Sequence, residues 1–170
     1  MYIPKIPNNS LTEEIKEIVS LCMKLEAHYG RRATLFNPPA TDVEIRTWEQ
    51  KNGILLPESY IDWLKFTNGS FILFDLMTTC DLEHISIDSE IVPDNLIVIG
   101  TLIGDGELLC FSKNTGKIIW FDDGRTEEYD DLKPILLRII NLMQGKSGVS
   151  QSSINVLMNM YQNTNKENNK

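Results

Sequence analysis

Six carboxylates lie close together between residues 122 and 131, and such a group could bind a cation or transfer a proton. The segment lacks the alternating Asp-x-Asp/Asn-x-Asp/Asn-Gly spacing of a calcium-binding loop, and no nucleophile and histidine lie nearby in the sequence. The simplest interpretation is a solvated loop followed by a helix cap. An acidic surface that faces a partner, and a catalytic or metal-binding role, are the alternatives. The carboxylates are those of Asp122, Asp123, Glu127, Glu128, Asp130 and Asp131.

Two glycine-containing segments imitate phosphate-binding loops. Gly145-Lys146-Ser147 resembles the end of such a loop, but the earlier glycine that it needs would fall at Ile140, inside a predicted helix. Gly100-x-x-x-Gly104-x-Gly106 has no lysine, carries Asp105 and Glu107, and leads into a predicted strand rather than a helix. Neither segment predicts anion binding.

The cysteines and histidines offer little metal chemistry. Cys80 and His84 could ligate one ion, but two further ligands at suitable spacing are missing. Cys22, Cys80 and Cys110 are an odd number at wide spacing in apolar surroundings, which favours reduced, buried thiols over a disulfide framework. We therefore expect no metal, no cofactor and no catalytic residue.

The net charge of −8 is distributed unevenly along the chain. Residues 61–135 contain 15 acidic and 5 basic residues, whereas the rest of the chain contains 9 acidic and 11 basic residues. A negative field of this kind repels nucleic acid and anionic membranes, and it attracts basic proteins. The composition therefore predicts a basic protein partner, no nucleic acid and no membrane.

Amphipathic helices are predicted near both ends of the first 144 residues. An apolar stripe runs through residues 10–29, and Ser10 with Glu13 has the spacing of a capping box. The last helix is predicted over 131–144, with Pro134 tolerated in its first turn.

A helix pair is predicted over residues 41–69. Thr41 and Glu44 form a second capping-box pattern, and Gly53 ends the first helix. Pro57 suits a first helical position, so it opens the second helix.

The residues after this pair change to strand-like patterning. At 170 residues the chain is about the size of one domain. We predict a single α+β domain over 1–144, with an antiparallel or mixed sheet of about five to six strands over 70–122. Residues 145–170 are predicted to be a flexible extension with a short helix at 153–161. The predicted strands are 71–74, 85–87, 96–99, 108–111 and 118–121.

The helix pair carries a pattern that resembles the signature of the SUKH superfamily, also called Smi/Knr-like. A second match follows in the order of that family: Val98-Ile99-Gly100, a glycine-containing turn, Gly116-Lys117, and Trp120-Phe121-Asp122. The resemblance covers roughly residues 42–143. The signature itself stands as Val43-x-x-x-x-Trp48-Glu49-x-x-x-Gly53-x-x-Leu56-Pro57-x-x-Tyr60-x-x-Trp63-Leu64-x-x-x-Asn68-Gly69.

The resemblance implies a non-enzymatic binding protein. Bacterial members are typically immunity proteins that neutralise a cognate toxin domain, often a nuclease, of a polymorphic toxin system, whereas fungal members regulate cell-wall assembly. This short chain is more similar to the bacterial kind, and a regulatory scaffold is the alternative. We expect a cytoplasmic protein, because the N-terminus lacks the apolar core of a secretion signal. The expected oligomeric state is a monomer or a weak dimer.

Acidic side chains in the middle of the chain are predicted to contact this basic toxin, with two aromatic residues as anchors. Of Trp48, Trp63 and Trp120, at least two are expected in the core rather than at a binding surface. The predicted partner-binding residues are Asp88, Glu90, Asp105, Glu107, Asp122, Asp123 and Glu127, with Phe121 and Tyr129 as the anchors.

Overall fold

The computed structural model describes residues 1–73, 75–103 and 106–145. The extension predicted from residue 145, including its short helix at 153–161, lies outside these residues from 146 onward. The helices are α1 (Thr12–Tyr29), α2 (Asp42–Asn52), α3 (Glu58–Leu64) and α4 (Lys133–Met143). The strands are β1 (Leu35–Phe36), β2 (Ser70–Ile72), β3 (Met77–Thr79), β4 (Leu96–Leu102), β5 (Glu107–Ser112), β6 (Ile118–Asp122) and β7 (Arg125–Tyr129).

The strands form one antiparallel sheet in which each strand pairs with the next along the chain, from β1 to β7. This confirms the predicted α+β class with an antiparallel sheet. The described chain has seven strands rather than five or six, because β1, β3 and β7 were not anticipated. The strand predicted at 85–87 is wrong: Ser86 makes an isolated bridge to Val98, and its neighbours do not continue the pairing.

The two faces of the sheet bury separate apolar clusters. The larger cluster lies between the helices and one face of the sheet, where it includes Ile99, Phe111 and Trp120. The smaller cluster includes residues that alternate with these along the same strands and therefore point to the opposite face. Its members are Val92, Leu96, Val98, Leu108, Cys110, Ile119 and Phe121.

The start of α1 differs from the predicted capping box. Leu11 occupies the N-cap and makes no side-chain cap. The backbone N–H and the hydroxyl of Ser10 both donate to Asp62 Oδ2 on α3, while Glu13 accepts from Lys16 Nζ at 2.7 Å. The prediction at Ser10 is wrong because Asp62 on another helix binds both the backbone N–H that would donate to Glu13 and the hydroxyl that would accept from the first turn.

The capping box of α2 is confirmed. The N–H of Glu44 donates to Thr41 Oγ1 at 3.2 Å, and the N–H of Thr41 donates to Glu44 Oε2 at 2.7 Å. Gly53 ends the helix at φ 65°, in the left-handed region that glycine adopts without strain. Pro57 lies at the N-cap of α3 rather than inside its first turn.

We expect Thr41→Ala to lower the free energy of unfolding by about 1 kcal/mol, because the N–H of Glu44 loses its acceptor. Hydrogen bonds from the backbone and hydroxyl of Thr41 hold the pKa of Glu44 below its usual value. A pKa lowered in the folded state stabilises the fold at neutral pH, and that stabilisation is lost as the pH falls through the folded-state pKa. Urea unfolding at pH 7 and in mild acid should therefore show a smaller acid-side loss for Thr41→Ala than for wild type.

Thr41→Ser is the matched control, since it keeps the hydroxyl acceptor. Equal unfolding free energies for Thr41→Ala and Thr41→Ser at pH 7 would contradict a stabilising role for this cap.

The signature residues of α3 join that helix to the sheet. Tyr60 and Trp63 are fully buried. The Tyr60 hydroxyl donates to the backbone carbonyl of Cys80 at 3.0 Å, and Trp63 Nε1 donates to Thr79 Oγ1 at 3.1 Å. With Trp120 also buried, at least two tryptophans are core residues, as predicted. These parts of the signature therefore maintain the fold.

Gly100 allows β4 to approach β3 closely. A Cβ added to Gly100 would lie 2.1 Å from the carbonyl oxygen of Thr78, far inside any allowed contact. The pairing of β4 with β5 also shifts register between Val98 and Gly100. The Ile-Gly step in the sequence is thus a steric requirement of the sheet.

Candidate functional site

The acidic segment predicted as a loop forms a β-hairpin. Strands β6 and β7 pair from Ile118–Tyr129 to Asp122–Arg125 without a register shift. Asp123 and Gly124 form the turn with φ of 42° and 83°, the two positive values of a type I′ turn. The interpretation as a solvated loop is wrong for residues 125–129. The Asp-Gly dipeptide beside a strand-like run was the sequence signal for this hairpin.

The side chains of β7 divide between the two faces of the sheet. Residues directly opposite each other in an antiparallel pair share a face. Glu127 lies opposite Trp120 and therefore on the helix side, as does Tyr129. Glu128 lies opposite Ile119 on the other side. Strand β7 consequently presents a carboxylate on each face.

The helix-side carboxylate is held by neighbouring side chains. Arg138 Nη1 on α4 lies 3.3 Å from Glu127 Oε2, and the hydroxyl of Tyr129 donates to the same oxygen. The Arg138 guanidinium also stacks 3.8 Å from the centre of the Trp120 ring. Partial burial raises the pKa of Tyr129, and the hydrogen bond to Glu127 raises it further. This arrangement fixes the orientation of Glu127 at the edge of the sheet.

On the other face, one lysine lies between two carboxylates. Lys117 Nζ is 3.7 Å from Glu128 Oε2 and 3.6 Å from Asp130 Oδ1. The side chain of Asp130 is 93% exposed, so most of its charge faces solvent. Exposed pairs of this kind contribute little to stability, and they leave the segment net negative.

The remaining predicted residues occupy different ends of the sheet. Glu107 precedes Leu108, which pairs with Phe121, so Glu107 lies beside Asp122 near the β6–β7 turn. Asp88 lies at the opposite end, 3.8 Å from Lys113 Nζ. The structure therefore brings Glu107, Asp122 and Asp123 together and places Asp88 elsewhere.

Glu90 is exposed in the segment before β4. Asp105 lies outside the described residues. Phe121 is 9% exposed and packs in the smaller apolar cluster, so it does not project from the surface as an anchor would. Contact between any of these residues and a partner stays a prediction.

A groove of about 570 Å³ separates α2 from the segment before β4. Val43, Trp48 and Ile87 contribute its apolar lining, and Val43 is 73% exposed. Its polar lining carries both signs of charge, from Glu44, Lys51 and Glu83 among others. This groove is less uniformly acidic than the β6–β7 hairpin.

The thiols and imidazoles lie away from the hairpin turn. Cys22, Cys80 and Cys110 are free thiols, and burial raises their pKa values to about 12, 11 and 12 respectively. His84 is exposed, and its Nδ1 donates a 2.7 Å hydrogen bond to the Asp81 carboxylate, which raises the pKa of His84. Among residues 1–73, 75–103 and 106–145, no three His, Cys, Asp or Glu side chains are grouped to hold a metal ion.

The described chain is thus a single α+β domain in which a helix pair and a final helix pack on an antiparallel sheet. The family model of the SMI1 / KNR4 family (SUKH-1) matches residues 39–137, which is more than half of the chain. The protein belongs to this family. The match runs from just before α2 into α4 and includes the whole β6–β7 hairpin.

The chain matches no curated protein. Within the part of the chain that the structure describes, none of the helices has the length and apolar character needed to cross a membrane.

Proposed function

We propose that this protein is an immunity protein that binds and neutralises a cognate toxin of a bacterial polymorphic toxin system. Membership of the SUKH-1 family supports this function. The structural feature that best supports the proposed function is the acidic β6–β7 hairpin at the edge of the sheet. Residues 118–129 of this hairpin contain four carboxylates and one basic residue, Arg125, and Asp130 and Asp131 follow directly. The protein acts by occupying the toxin surface in the cytoplasm, and it performs no catalysis itself.

The charge distribution suits a basic toxin, and nucleases are often basic because they bind nucleic acid. Opposite potentials on two proteins accelerate their encounter, and this steering weakens as salt screens the charges. Rapid association matters for an inhibitor that must capture a toxin before it acts. The hairpin acids supply this field, and the blockade then needs an interface of roughly 800 Å² on each partner.

A growth-protection assay tests the proposed function. Any toxin-like protein whose gene lies beside the gene for this chain is expressed with and without it, and the two proteins are purified together. Rescue of growth together with a stable complex supports immunity. Absence of both rescue and binding would overturn the proposal and would favour the regulatory-scaffold alternative.

Neutralising the turn acids should slow association with that toxin. We expect Asp122→Asn with Asp123→Asn to lower the association rate constant by about threefold to tenfold at low salt, with a flatter salt dependence. Asparagine tolerates the positive φ of position 123, so the turn is preserved. Stopped-flow or surface-based kinetics across a salt series measures the effect.

The matched control is Glu13→Gln with Glu83→Gln, which removes the same net charge from exposed positions outside the hairpin. Equal slowing by both double variants would show that only the total charge matters and would contradict a role for the hairpin surface.

A further inference from the structure

We propose that the partner protein adds an extended, basic segment as an eighth strand along the outer edge of β7. This inference rests on the proposed function and specifies how the toxin is bound. The β7 edge ends the sheet, and within the described residues no other segment pairs with its outer side. All residues of β7 except the half-buried Tyr129 are exposed.

The hairpin geometry determines which backbone groups are open. In a two-residue hairpin the residues flanking the turn exchange both backbone hydrogen bonds, and such pairs alternate along the ladder. Asp122–Arg125 flanks the turn, so Arg125, Glu127 and Tyr129 direct their N–H and C=O groups toward β6. Thr126 and Glu128 direct theirs outward. These two residues supply two donors and two acceptors at the spacing that an added strand requires.

The other edge of the sheet is a poor template. Strand β1 has only two residues, Leu35 and Phe36, whereas β7 has five. Strand β7 also lacks the proline and the bulge with which proteins often prevent pairing at an edge. Within the part of the chain that the structure describes, charge is what protects β7 against unwanted pairing.

That charge selects the occupant. A second copy would place acidic edges together: in the antiparallel register centred on Glu127, this residue of one copy would lie opposite Glu127 of the other, and like charges directly opposite each other are destabilising. A basic strand instead meets Glu127 on one face and Glu128 on the other. Arg138 and Lys117 already lie beside these two carboxylates, but each glutamate side chain is still 58% exposed and open to a second cation. The carboxylates that discourage self-pairing therefore favour a partner with lysine or arginine at successive strand positions.

The first test is amide hydrogen exchange of the full chain, free and in complex with the toxin. The amides of Thr126 and Glu128 should exchange rapidly in the free protein and slow by about 100-fold or more in the complex. The amides of Glu127 and Tyr129, which already bond to β6, report that the hairpin is intact. A stable complex in which the Thr126 and Glu128 amides still exchange rapidly would overturn strand addition and leave the proposed function standing.

The second test removes one outward donor. Thr126→Pro deletes an N–H that does not bond to β6, and proline is tolerated at an edge when its missing donor faces solvent. We expect its toxin dissociation constant to rise about tenfold or more, whereas Thr126→Val, which keeps the N–H, stays within about twofold of wild type.

Each result has a distinct meaning. Circular dichroism checks that Thr126→Pro folds. If this variant does not fold, the exchange experiment on wild type alone decides whether the partner adds a strand to β7. Equal affinity of folded Thr126→Pro and Thr126→Val would overturn strand addition. If wild type forms no complex at all, the proposed function fails, and this inference fails with it.

Discussion

Gly100→Ala is expected to lower the free energy of unfolding by about 3 kcal/mol or more, or to prevent folding. The added methyl group would lie 2.1 Å from the carbonyl oxygen of Thr78, and a backbone atom cannot move aside as a flexible side chain can. Relief requires β3 and β4 to separate along their three paired positions, which breaks ladder hydrogen bonds. Urea unfolding followed by far-ultraviolet circular dichroism measures the loss.

Gly53→Ala is the matched control for this change. A Cβ at Gly53 meets nothing within 4 Å, so alanine there carries only the strain of φ 65°. We expect a loss of about 1 kcal/mol. If Gly100→Ala were no more destabilising than Gly53→Ala, that result would contradict our claim that β4 lies too close to β3 at position 100 to accept a side chain.

Trp63→Ala is expected to lower the free energy of unfolding by about 4 kcal/mol. The indole is fully buried and packs edge-on against Phe66, with 5.7 Å between ring centres. Its removal leaves a cavity between α3 and the sheet. It also removes the N–H donor from Thr79, whose hydroxyl lies 2.8 Å from that of Ser70 in a buried polar chain.

Trp48→Ala provides the comparison for the same residue change. Trp48 is only partly buried where it packs against the core, so its truncation should cost about 1–2 kcal/mol. Chemical unfolding of both variants in parallel gives the difference directly. A loss at position 63 that did not exceed the loss at position 48 would contradict the assignment of Trp63 to the core.

These two predictions separate the fold from the proposed binding surface. Gly100 and Trp63 belong to the patterns that resemble the SUKH superfamily, and both are buried within the domain. Thr126 and Glu128, in contrast, are exposed. Because the buried pattern and the exposed edge do not share side chains, the edge can change its charge pattern while the domain keeps its fold. Partner specificity would then reside in β7 and its turn.

Local rules predicted some elements and missed others for identifiable reasons. Thr41 and Glu44 bond each other, and the N–H of Gly53 donates to the carbonyl of Glu49 in the same helix, so this pattern is reliable without tertiary information. Ser10 and Glu13 have the same spacing, yet Asp62 from α3 takes the Ser10 donors. A capping motif predicts geometry only when no distant group competes for its hydrogen bonds.

The sequence pattern missed β7 because few of its side chains are buried. β7 has the sequence Arg-Thr-Glu-Glu-Tyr, which lacks apolar alternation because most of its side chains are exposed at the edge. Conversely, Ile85-Ser86-Ile87 alternates as a strand should, but only Ser86 reaches a partner, at Val98. Hydrophobic alternation reports which side chains are buried, whereas strand pairing depends on the backbone of the neighbouring strand.

The sequence by itself determined the α+β class, the helix pair, the main apolar strands and the acidic character of the middle of the chain. These properties follow from residue type and spacing, which act over a few positions. Only the tertiary structure decided that four of the acids of 122–131 lie on a hairpin, that Glu127 is held by Arg138 and Tyr129, and that Asp88 lies at the far end of the sheet. Those outcomes depend on register and on which strand ends the sheet, and pairing between distant residues fixes both.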